Sequence, residues 1–203
     1  MTISLVGLPG GGKSTAGRHL ARRIGFELID SDAVIEKRIG CSIRSFFERE
    51  GEDRFRDIEE AVIAELAVQP NAVLATGGGA VLREANRRML HEHTTVVYLR
   101  STPEELFRRL RHDTQRPLLQ VADPLAKLKD LYRQRDPLYR QAAHFVVETG
   151  RPSVANLVNM IVMQLELAGV LQAGFAAPAG GGSDGDADNI EPRPGKKKDK
   201  DGS

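Results

Sequence analysis

The sequence predicts an α/β protein with three layers, in which helices cover both faces of a central five-stranded parallel sheet. Two features predict this arrangement. Short apolar runs alternate along the chain with longer, charged segments of helical character, and strands that alternate with helices pair in parallel because each connection crosses a face of the sheet. In addition, the stretch GLPGGGKST at residues 7–15 lies between the first apolar run and the first helical segment.

The first elements are predicted from apolar runs and from glycines. TISLVG (residues 2–7) and FELID (residues 26–30) are short apolar runs, which favour buried strands. Between them, apolar side chains recur at helical spacing, and a glycine ends the pattern. Residues 31–69 predict charged helices that are interrupted at Gly40 and Gly51.

The remaining elements continue the alternation. NAVLAT, TTVVYLR and AHFVVE predict the third, fourth and fifth strands, and residues 82–92 predict the helix after the third strand. STPEELFRRL opens a helix with a Ser or Thr cap and with Pro103 near its first turn. The polar, proline-interrupted residues 111–124 predict a loop, and residues 124–142 and 153–168 predict the last two helices.

One folded domain is predicted for residues 1–168, followed by a tail. Residues 169–203 are rich in Gly, Ala, Pro and Asp and offer little to bury, which predicts disorder. The run KKKDK near the end has acidic neighbours that dilute its charge, so we interpret it as part of a solvated tail.

The composition narrows the class of protein. Twenty-nine basic and 28 acidic side chains leave a net charge of +1, which gives no field to attract nucleic acid or a membrane surface. A single cysteine, Cys41, excludes an intramolecular disulfide and fits a reducing compartment. No apolar run reaches the roughly 18 residues of a membrane helix, and MTISLVGLP lacks a signal-peptide pattern. We therefore expect a cytoplasmic protein whose partners include neither nucleic acid nor a membrane.

The first candidate site is the glycine-rich stretch. Gly7, Gly12, Lys13 and Ser14 fit the pattern G-x-x-x-x-G-K-[ST], here between a strand and a helix, as in a phosphate-binding loop. Glycines let backbone N–H groups converge on a phosphate chain, and the helix start adds unpaired donors. Lys13 would reach the β- and γ-phosphates, and the Ser14 hydroxyl would bind Mg²⁺. The pattern predicts binding of ATP or a similar nucleoside triphosphate; the alternative is a plain glycine-rich turn.

The stretch IDSD places Asp30 and Asp32 at the carboxyl end of the second strand. Ligands of open parallel sheets lie beyond this edge. Residues two apart in a strand point the same way, so we expect both carboxylates to face one site. One would support the water shell of Mg²⁺, and the other would orient an acceptor hydroxyl. Because a helix follows, either carboxylate is alternatively a helix N-cap.

Two further stretches suggest how an acceptor is held. In RFRDIEE, Arg56 and Glu59 are one helical turn apart, so Glu59 can fix the guanidinium for a two-pronged grip on a substrate carboxylate. The alternative is an exposed helix with ordinary ion pairs. The segment TGGGAV at residues 76–81 follows the third strand, and its glycines would let backbone approach a ligand closely.

Two more arginines are candidates. Arg116 in TQRPLL lies in the predicted loop between two helices, where it would close over the phosphates and neutralise charge in the transition state. Arg140 in DPLYR would be a second ligand of the substrate carboxylate. On spacing alone, the alternatives are an ordinary surface arginine and a helix-end charge.

These motifs together resemble the shikimate kinase family. GLPGGGKST, DSD, FRDIEE, GGGAV, RPLL and PLYR occur in the family's order and at about its spacing, over residues 2 to about 167. The resemblance implies a P-loop kinase fold with a lid at about residues 110–122 and a helical substrate-binding segment at residues 31–60. It also implies transfer of the γ-phosphoryl group of ATP to the 3-hydroxyl of shikimate, in the chorismate pathway to aromatic amino acids.

The resemblance further implies roles for individual residues. The catalytic residues would be Lys13, Asp32 and Arg116, and the Mg²⁺ ligands would be Ser14 and Asp30. ATP contacts are implied for Gly10, Gly11, Gly12, Lys13, Ser14, Thr15, Arg109, Arg116 and Arg151, with Pro152 also near adenine. Shikimate contacts are implied for Asp32, Phe47, Phe55, Arg56, Gly77, Gly78, Gly79 and Arg140. We expect the enzyme to be a monomer.

Two other functions fit the phosphate loop alone. Another small-molecule kinase of this fold, such as a gluconate kinase, should lack both the triple glycine and the pair formed by Arg56 and Arg140. A nucleotide-binding regulator without phosphoryl transfer would have no need of Asp32 or Arg116. All of these features are present in the sequence.

Overall fold

The structure is a computed structural model that describes residues 1–111, 120–150 and 153–175. The strands are β1 (Thr2–Val6), β2 (Glu27–Asp30), β3 (Ala72–Ala75), β4 (Thr95–Arg100) and β5 (Phe145–Glu148). The helices are α1 (Lys13–Ile24), α2 (Ser31–Ile39), α3 (Ile43–Glu50), α4 (Glu52–Leu66), α5 (Glu84–His93), α6 (Pro103–Leu110), α7 (Pro124–Ala142) and α8 (Val154–Leu167). The predicted alternation of strands and helices is confirmed.

The five strands pair in parallel, in the order β2-β3-β1-β4-β5. β1 lies in the middle, and all five of its residues are buried. Asp30 of β2 pairs with Ala75 of β3, which in turn pairs with Leu5 of β1. The segments that follow these three strands therefore leave the sheet side by side. This is the carboxyl edge at which open α/β sheets bind ligands.

Each face of the sheet has its own apolar core, which confirms the three-layer arrangement. On one face, Leu20 of α1 and Ile161 of α8 are fully buried against the sheet. On the other face, Ile63 of α4, Leu90 of α5 and Tyr139 of α7 are fully buried. Within the described parts of the chain, no helix has both the length and the apolar character that a membrane span requires.

Residues 31–60 contain three helices, because glycines and caps divide the segment. Gly40 ends α2 with a φ of 72°, in the left-handed region that glycine adopts most readily. The Ser42 hydroxyl accepts the Ser45 N–H at 3.1 Å and caps α3. Gly51 then separates α3 from α4. Both predicted interruptions are confirmed, and the segment folds as short helices beside the carboxyl edge of β2.

The packed domain extends into the segment that the sequence assigns to the tail. Leu171 is buried in the core formed with α1 and α8, and Phe175 packs against that core. The Phe175 N–H donates to Glu166 Oε1 at 2.6 Å. Residues 169–175 therefore belong to the domain, because two apolar anchors hold a segment whose composition alone predicts disorder. The rest of the predicted tail, residues 176–203, lies outside the described residues.

This packing predicts that Leu171→Ala lowers the free energy of unfolding by about 2 kcal/mol, since the substitution removes a buried apolar side chain. Leu167→Ala is the matched control, because Leu167 is 81% exposed and Leu171 is 8% exposed. The control should change the free energy of unfolding by less than about 0.5 kcal/mol. Urea denaturation measures both effects. Equal effects would contradict a structural role for residues 169–175.

Candidate active site

A cavity of about 370 Å³ opens at the carboxyl edge of β1, β2 and β3. Its walls come from the loop after β1, the start of α1, the junction between β2 and α2, and the loop after β3. The cavity is lined by Pro9, Gly10, Gly12, Lys13, Ser14, Thr15, Asp30, Asp32, Thr76, Gly77 and Gly78. The predicted phosphate loop, both predicted carboxylates and the first two glycines of GGG thus share one cavity.

Lys13 is the first residue of α1 and directly follows the glycine-rich loop. Its Nζ donates to the carbonyl oxygens of Gly7 at 2.8 Å and Leu8 at 2.9 Å. The residue is buried, so its positive charge lies in a region of low dielectric beside the start of a helix. The unpaired N–H groups and the dipole of a helix start also favour an anion. This arrangement suits the binding of phosphate groups.

Ser14 and Asp30 bring a hydroxyl and a carboxylate together. Ser14 Oγ donates to Asp30 Oδ2 at 3.0 Å, while Asp30 Oδ1 accepts the N–H groups of Asp32 and Ala33 and caps α2. Hydroxyl and carboxylate oxygens are ligands that Mg²⁺ accepts together with water and phosphate oxygens, so the pair fits this ion. Among the described residues, no group of three or more His, Cys, Asp or Glu side chains could hold a metal ion, and this site is no exception. Nucleotide oxygens and water would therefore have to complete the shell.

Asp32 lies in the first turn of α2 and not in a strand. The expectation that Asp30 and Asp32 share a direction through strand alternation is wrong, because β2 ends at Asp30. Asp32 still lines the cavity, and its Oδ1 would lie 2.5 Å from a Cβ on Gly77. The pKa of Asp32 is raised to about 6. Burial is the largest cause, the nearby carboxylates of Asp30 and Glu59 contribute to the rise, and Lys13 opposes it.

The triple-glycine loop, residues 77–79, packs too closely against its neighbours for side chains. A Cβ on Gly78 would lie 2.5 Å from Pro9 Cγ, within the phosphate loop. A Cβ on Gly79 would lie 2.5 Å from both terminal guanidinium nitrogens of Arg56. The glycines thus let this loop pack directly against the phosphate loop and α4, while the close approach to a ligand stays a prediction.

Arg56 and Glu59 form the ion pair that their spacing predicts. Arg56 Nη1 donates to Glu59 Oε1 at 2.8 Å, and the two side chains are only 11% and 1% exposed. The alternative of an ordinary exposed pair is therefore excluded. Burial raises the pKa of Glu59, and Arg56 opposes this rise. The rings of Phe47 and Phe55 lie 4.7 Å apart, and Arg56 Cζ lies 5.1 Å from the Phe55 ring centre.

Arg140 lies outside this arrangement. Its Nε donates to Asp136 Oδ2 at 3.0 Å, and 48% of its side chain is exposed. The expectation that Arg140 binds a substrate carboxylate is corrected, because a spacing of four residues along α7 pairs it with Asp136 instead.

Arg135, which the sequence reasoning missed, is close to the buried Glu59. Its positive charge lowers the pKa of both Tyr139 and Glu59, against the rise that burial causes. Tyr139 is fully buried, and its hydroxyl donates to the Gly78 carbonyl at 2.6 Å. A signal for Arg135 exists in the sequence. Residues four apart share one face of a helix, so the large apolar ring of Tyr139 marks the inward face of α7 that Arg135 shares.

A second cavity, of about 220 Å³, adjoins the phosphate loop. It is lined by Gly10, Gly11, Gly12, Thr15, Ala16, Arg109, Thr149, Val154 and Leu157. Arg109 Nη1 donates to Ser101 Oγ at 3.4 Å, and Nη2 donates to the Gly150 carbonyl at 3.3 Å. The structure thus brings Arg109 to the phosphate loop. Three other expected contacts lie outside the described residues: Arg116 of the lid, Arg151 and Pro152.

Comparisons with known proteins agree with the motifs. A family model described as shikimate kinase matches residues 9–166. A shikimate kinase of Paracidovorax citrulli is 63% identical over 84% of this chain and 94% of its own length. A shikimate kinase of Burkholderia thailandensis is 57% identical over 84% of this chain and 93% of its own length.

Solved structures give the same result. Shikimate kinase from Acinetobacter baumannii in complex with shikimate is 45% identical, with a TM-score of 0.77 over 84% of this chain and 95% of that chain. A gluconokinase from Sinorhizobium meliloti, at 18% identity and a TM-score of 0.52 over 85% of this chain and 97% of that chain, shares the fold alone. Because the family model covers most of the chain and the relatives match over nearly their whole length, this chain belongs to the shikimate kinase family.

Proposed function

We propose that this protein transfers the γ-phosphoryl group of ATP to the 3-hydroxyl of shikimate, which yields shikimate 3-phosphate and ADP in the chorismate pathway. One observation carries the proposal. A single cavity joins the phosphate loop and Asp32 to the triple-glycine loop, against which Arg56 packs. Membership of the family and the shikimate bound to the Acinetobacter baumannii enzyme support the same substrate.

The phosphate loop would bind the donor. Lys13 would exchange the carbonyl oxygens of its own loop for oxygens of the β- and γ-phosphates. The N–H groups at the start of α1 would bind the other phosphate oxygens of ATP. Ser14 and Asp30 would hold Mg²⁺ through oxygen atoms. When bound, this ion would supply positive charge to the phosphates during transfer. The nucleotide base would then lie in the second cavity, beside Arg109.

Asp32 would orient the acceptor hydroxyl and take its proton. A carboxyl group with a pKa of about 6 is mostly ionised at neutral pH and accepts a proton more readily than an ordinary aspartate. Contact with Gly77 fixes the position of the carboxylate. Phosphoryl transfer depends mainly on alignment and on charge stabilisation, so this fixed position supports the proposed role.

Arg56 and Arg135 would bind the shikimate carboxylate, and Phe47 and Phe55 would pack against its carbon ring. A guanidinium forms two parallel hydrogen bonds with a carboxylate, which fixes orientation as well as charge. Glu59 holds Arg56 directly and lies in the field of Arg135. We therefore assign to Arg135 the role that the resemblance gives to Arg140.

Several expectations stay predictions within this proposal. Arg116 and Arg151 are expected at the phosphates and the adenine. A monomer is expected, as is a cytoplasmic location, which the single cysteine favours. Shikimate, ATP and Mg²⁺ are the only ligands that the proposal requires.

A coupled ADP-release assay with ATP, Mg²⁺ and a panel of hydroxy acids tests the proposal. We expect ADP release with shikimate well above the rate with ATP alone, and no comparable release with gluconate. Turnover with gluconate and not with shikimate would identify a different kinase of this fold. A protein that binds ATP and phosphorylates no acceptor would instead be a nucleotide-binding regulator.

Lys13→Ala should lower kcat by about 10²- to 10³-fold, because it removes a charge that stabilises the transferring phosphoryl group. Steady-state kinetics with saturating shikimate measure this effect. Arg18→Ala, which removes an exposed basic side chain from the same helix, is the control and should leave kcat within about twofold. Equal rates for both variants would contradict the assignment of Lys13.

Arg56→Ala should raise the KM for shikimate by about 30-fold and leave the KM for ATP nearly unchanged, since hydrogen bonds to a charged group contribute about 2 kcal/mol. Arg54→Ala is the matched control, because Arg54 pairs with Glu50 at 2.7 Å and is 68% exposed. Initial rates at varied shikimate and varied ATP separate the two constants. Unchanged shikimate kinetics in Arg56→Ala would overturn the substrate assignment.

Arg135→Ala and Arg140→Ala distinguish the two candidates for the second guanidinium. We expect Arg135→Ala to raise the KM for shikimate by about tenfold or more, and Arg140→Ala to change it by less than about threefold. The reason is that Arg140 is half-exposed and paired with Asp136, whereas Arg135 lies near the buried Glu59 that holds Arg56. The reverse order of effects, measured in the same assay, would restore Arg140 as the carboxylate ligand.

A further inference from the structure

We propose that Tyr139 is a positioning residue for shikimate binding, whose hydroxyl fixes the conformation of the triple-glycine loop. The inference rests on the proposed function, because it names a determinant of the same substrate site. Tyr139 lies in α7 and is 0% exposed. It therefore acts through other groups and not by contact with solvent or with a bound ligand.

The Tyr139 hydroxyl joins two parts of the site. Its single proton is donated to the Gly78 carbonyl at 2.6 Å, which ties α7 to the glycine loop. A phenol hydroxyl has one proton to donate, so this bond uses its only donor. Rotation of the hydroxyl away from Gly78 would break this hydrogen bond and leave the buried phenol without an acceptor, which is unfavourable.

A fixed carbonyl at Gly78 also fixes the next backbone donor. Because the peptide unit is planar and trans, the Gly78 carbonyl and the Gly79 N–H point in opposite directions from one plane. Within the described residues, no acceptor takes the Gly79 N–H. The hydrogen bond from Tyr139 therefore directs the Gly79 N–H away from α7. Gly79 is the glycine that packs against Arg56.

A buried serine holds the other side of the loop. The Gly77 N–H donates to Ser31 Oγ at 3.1 Å, and Ser31 is 0% exposed. Thr76 Oγ1 also donates to the Leu5 carbonyl at 2.9 Å, which ties the start of the loop to β1. Three consecutive glycines have a large conformational entropy to lose. Hydrogen bonds on both sides of the loop therefore determine which conformation the substrate meets.

Tyr98 provides a matched control. Its ring centre lies 4.9 Å from that of Tyr139, and it is 1% exposed. The Tyr98 hydroxyl, however, donates to Asp136 Oδ1 at 2.7 Å and not to the glycine loop. Tyr98→Phe and Tyr139→Phe thus remove one buried hydroxyl each from the same ring pair, and only Tyr139→Phe releases the loop.

The test compares these two variants with the wild-type protein in steady-state kinetics, calorimetric titration with shikimate and thermal unfolding. We expect Tyr139→Phe to raise the KM and the Kd for shikimate about five- to tenfold and to leave the KM for ATP within twofold. Tyr98→Phe should leave both KM values within twofold even if it lowers the Tm as much. A merely structural role would affect both substrates alike.

Three outcomes would overturn the inference. They are equal shikimate KM values in the two variants, an equal rise of both KM values in Tyr139→Phe, and a fall in kcat with no change in KM. If Tyr139→Phe is too unstable to assay, Ser31→Ala releases the other side of the loop and should raise the KM for shikimate alone. A wild-type protein that does not phosphorylate shikimate would refute the proposed function instead.

Discussion

The triple-glycine loop is the constraint on which the site depends, because three separate parts of the protein meet where it has no side chains. Residues 77–79 lie against Asp32 from α2, Pro9 from the phosphate loop and Arg56 from α4, each closer than a Cβ would allow. Any side chain there would push one of these groups away. The donor site and the acceptor site can therefore be adjacent only while the loop stays glycine and keeps one conformation.

A buried carboxylate organises the positive charge around that loop. Glu59 is 1% exposed, is bonded to Arg56, and lies in the fields of Arg135 and Arg83. A buried ion pair costs desolvation that its own attraction only partly offsets, so such a pair is weak support for stability. Its value here is orientation. Glu59 and the more exposed Glu52 hold the Arg56 guanidinium from two sides.

The sequence predicts the elements and the phosphate loop well, because both follow local rules. Apolar periodicity, glycines and caps determine where strands and helices begin and end, and the spacing of Arg56 and Glu59 on one helical turn determines their ion pair. The exact end of β2 depends on whether the strand continues or α2 begins, and the apolar periodicity does not determine this. The Asp30 side chain accepts two backbone N–H groups and starts α2 one residue later, which moves Asp32 from strand to helix.

Tertiary packing decides what the sequence does not. Composition marks residues 169–175 as tail, yet Leu171 is buried in the core beside α1 and α8. The choice between Arg135 and Arg140 likewise depends on how α7 is rotated about its axis. A motif gives the order of residues along a helix and not the face that each one occupies, unless a buried neighbour such as Tyr139 is used as a reference.

Two tyrosines that pack together lie at α7 and bond in different directions. Tyr98 from β4 holds Asp136, which also binds Arg140, while Tyr139 bonds to the glycine loop. A helix with a proline inside, Pro137, lacks one backbone hydrogen bond of its own. The bond from Tyr139 to the glycine loop therefore orients the inward face of the helix. Since Arg135 and Arg140 lie on different faces, Arg140 pairs with Asp136 on one side, and Arg135 lies close enough to Glu59 on the other to lower its pKa.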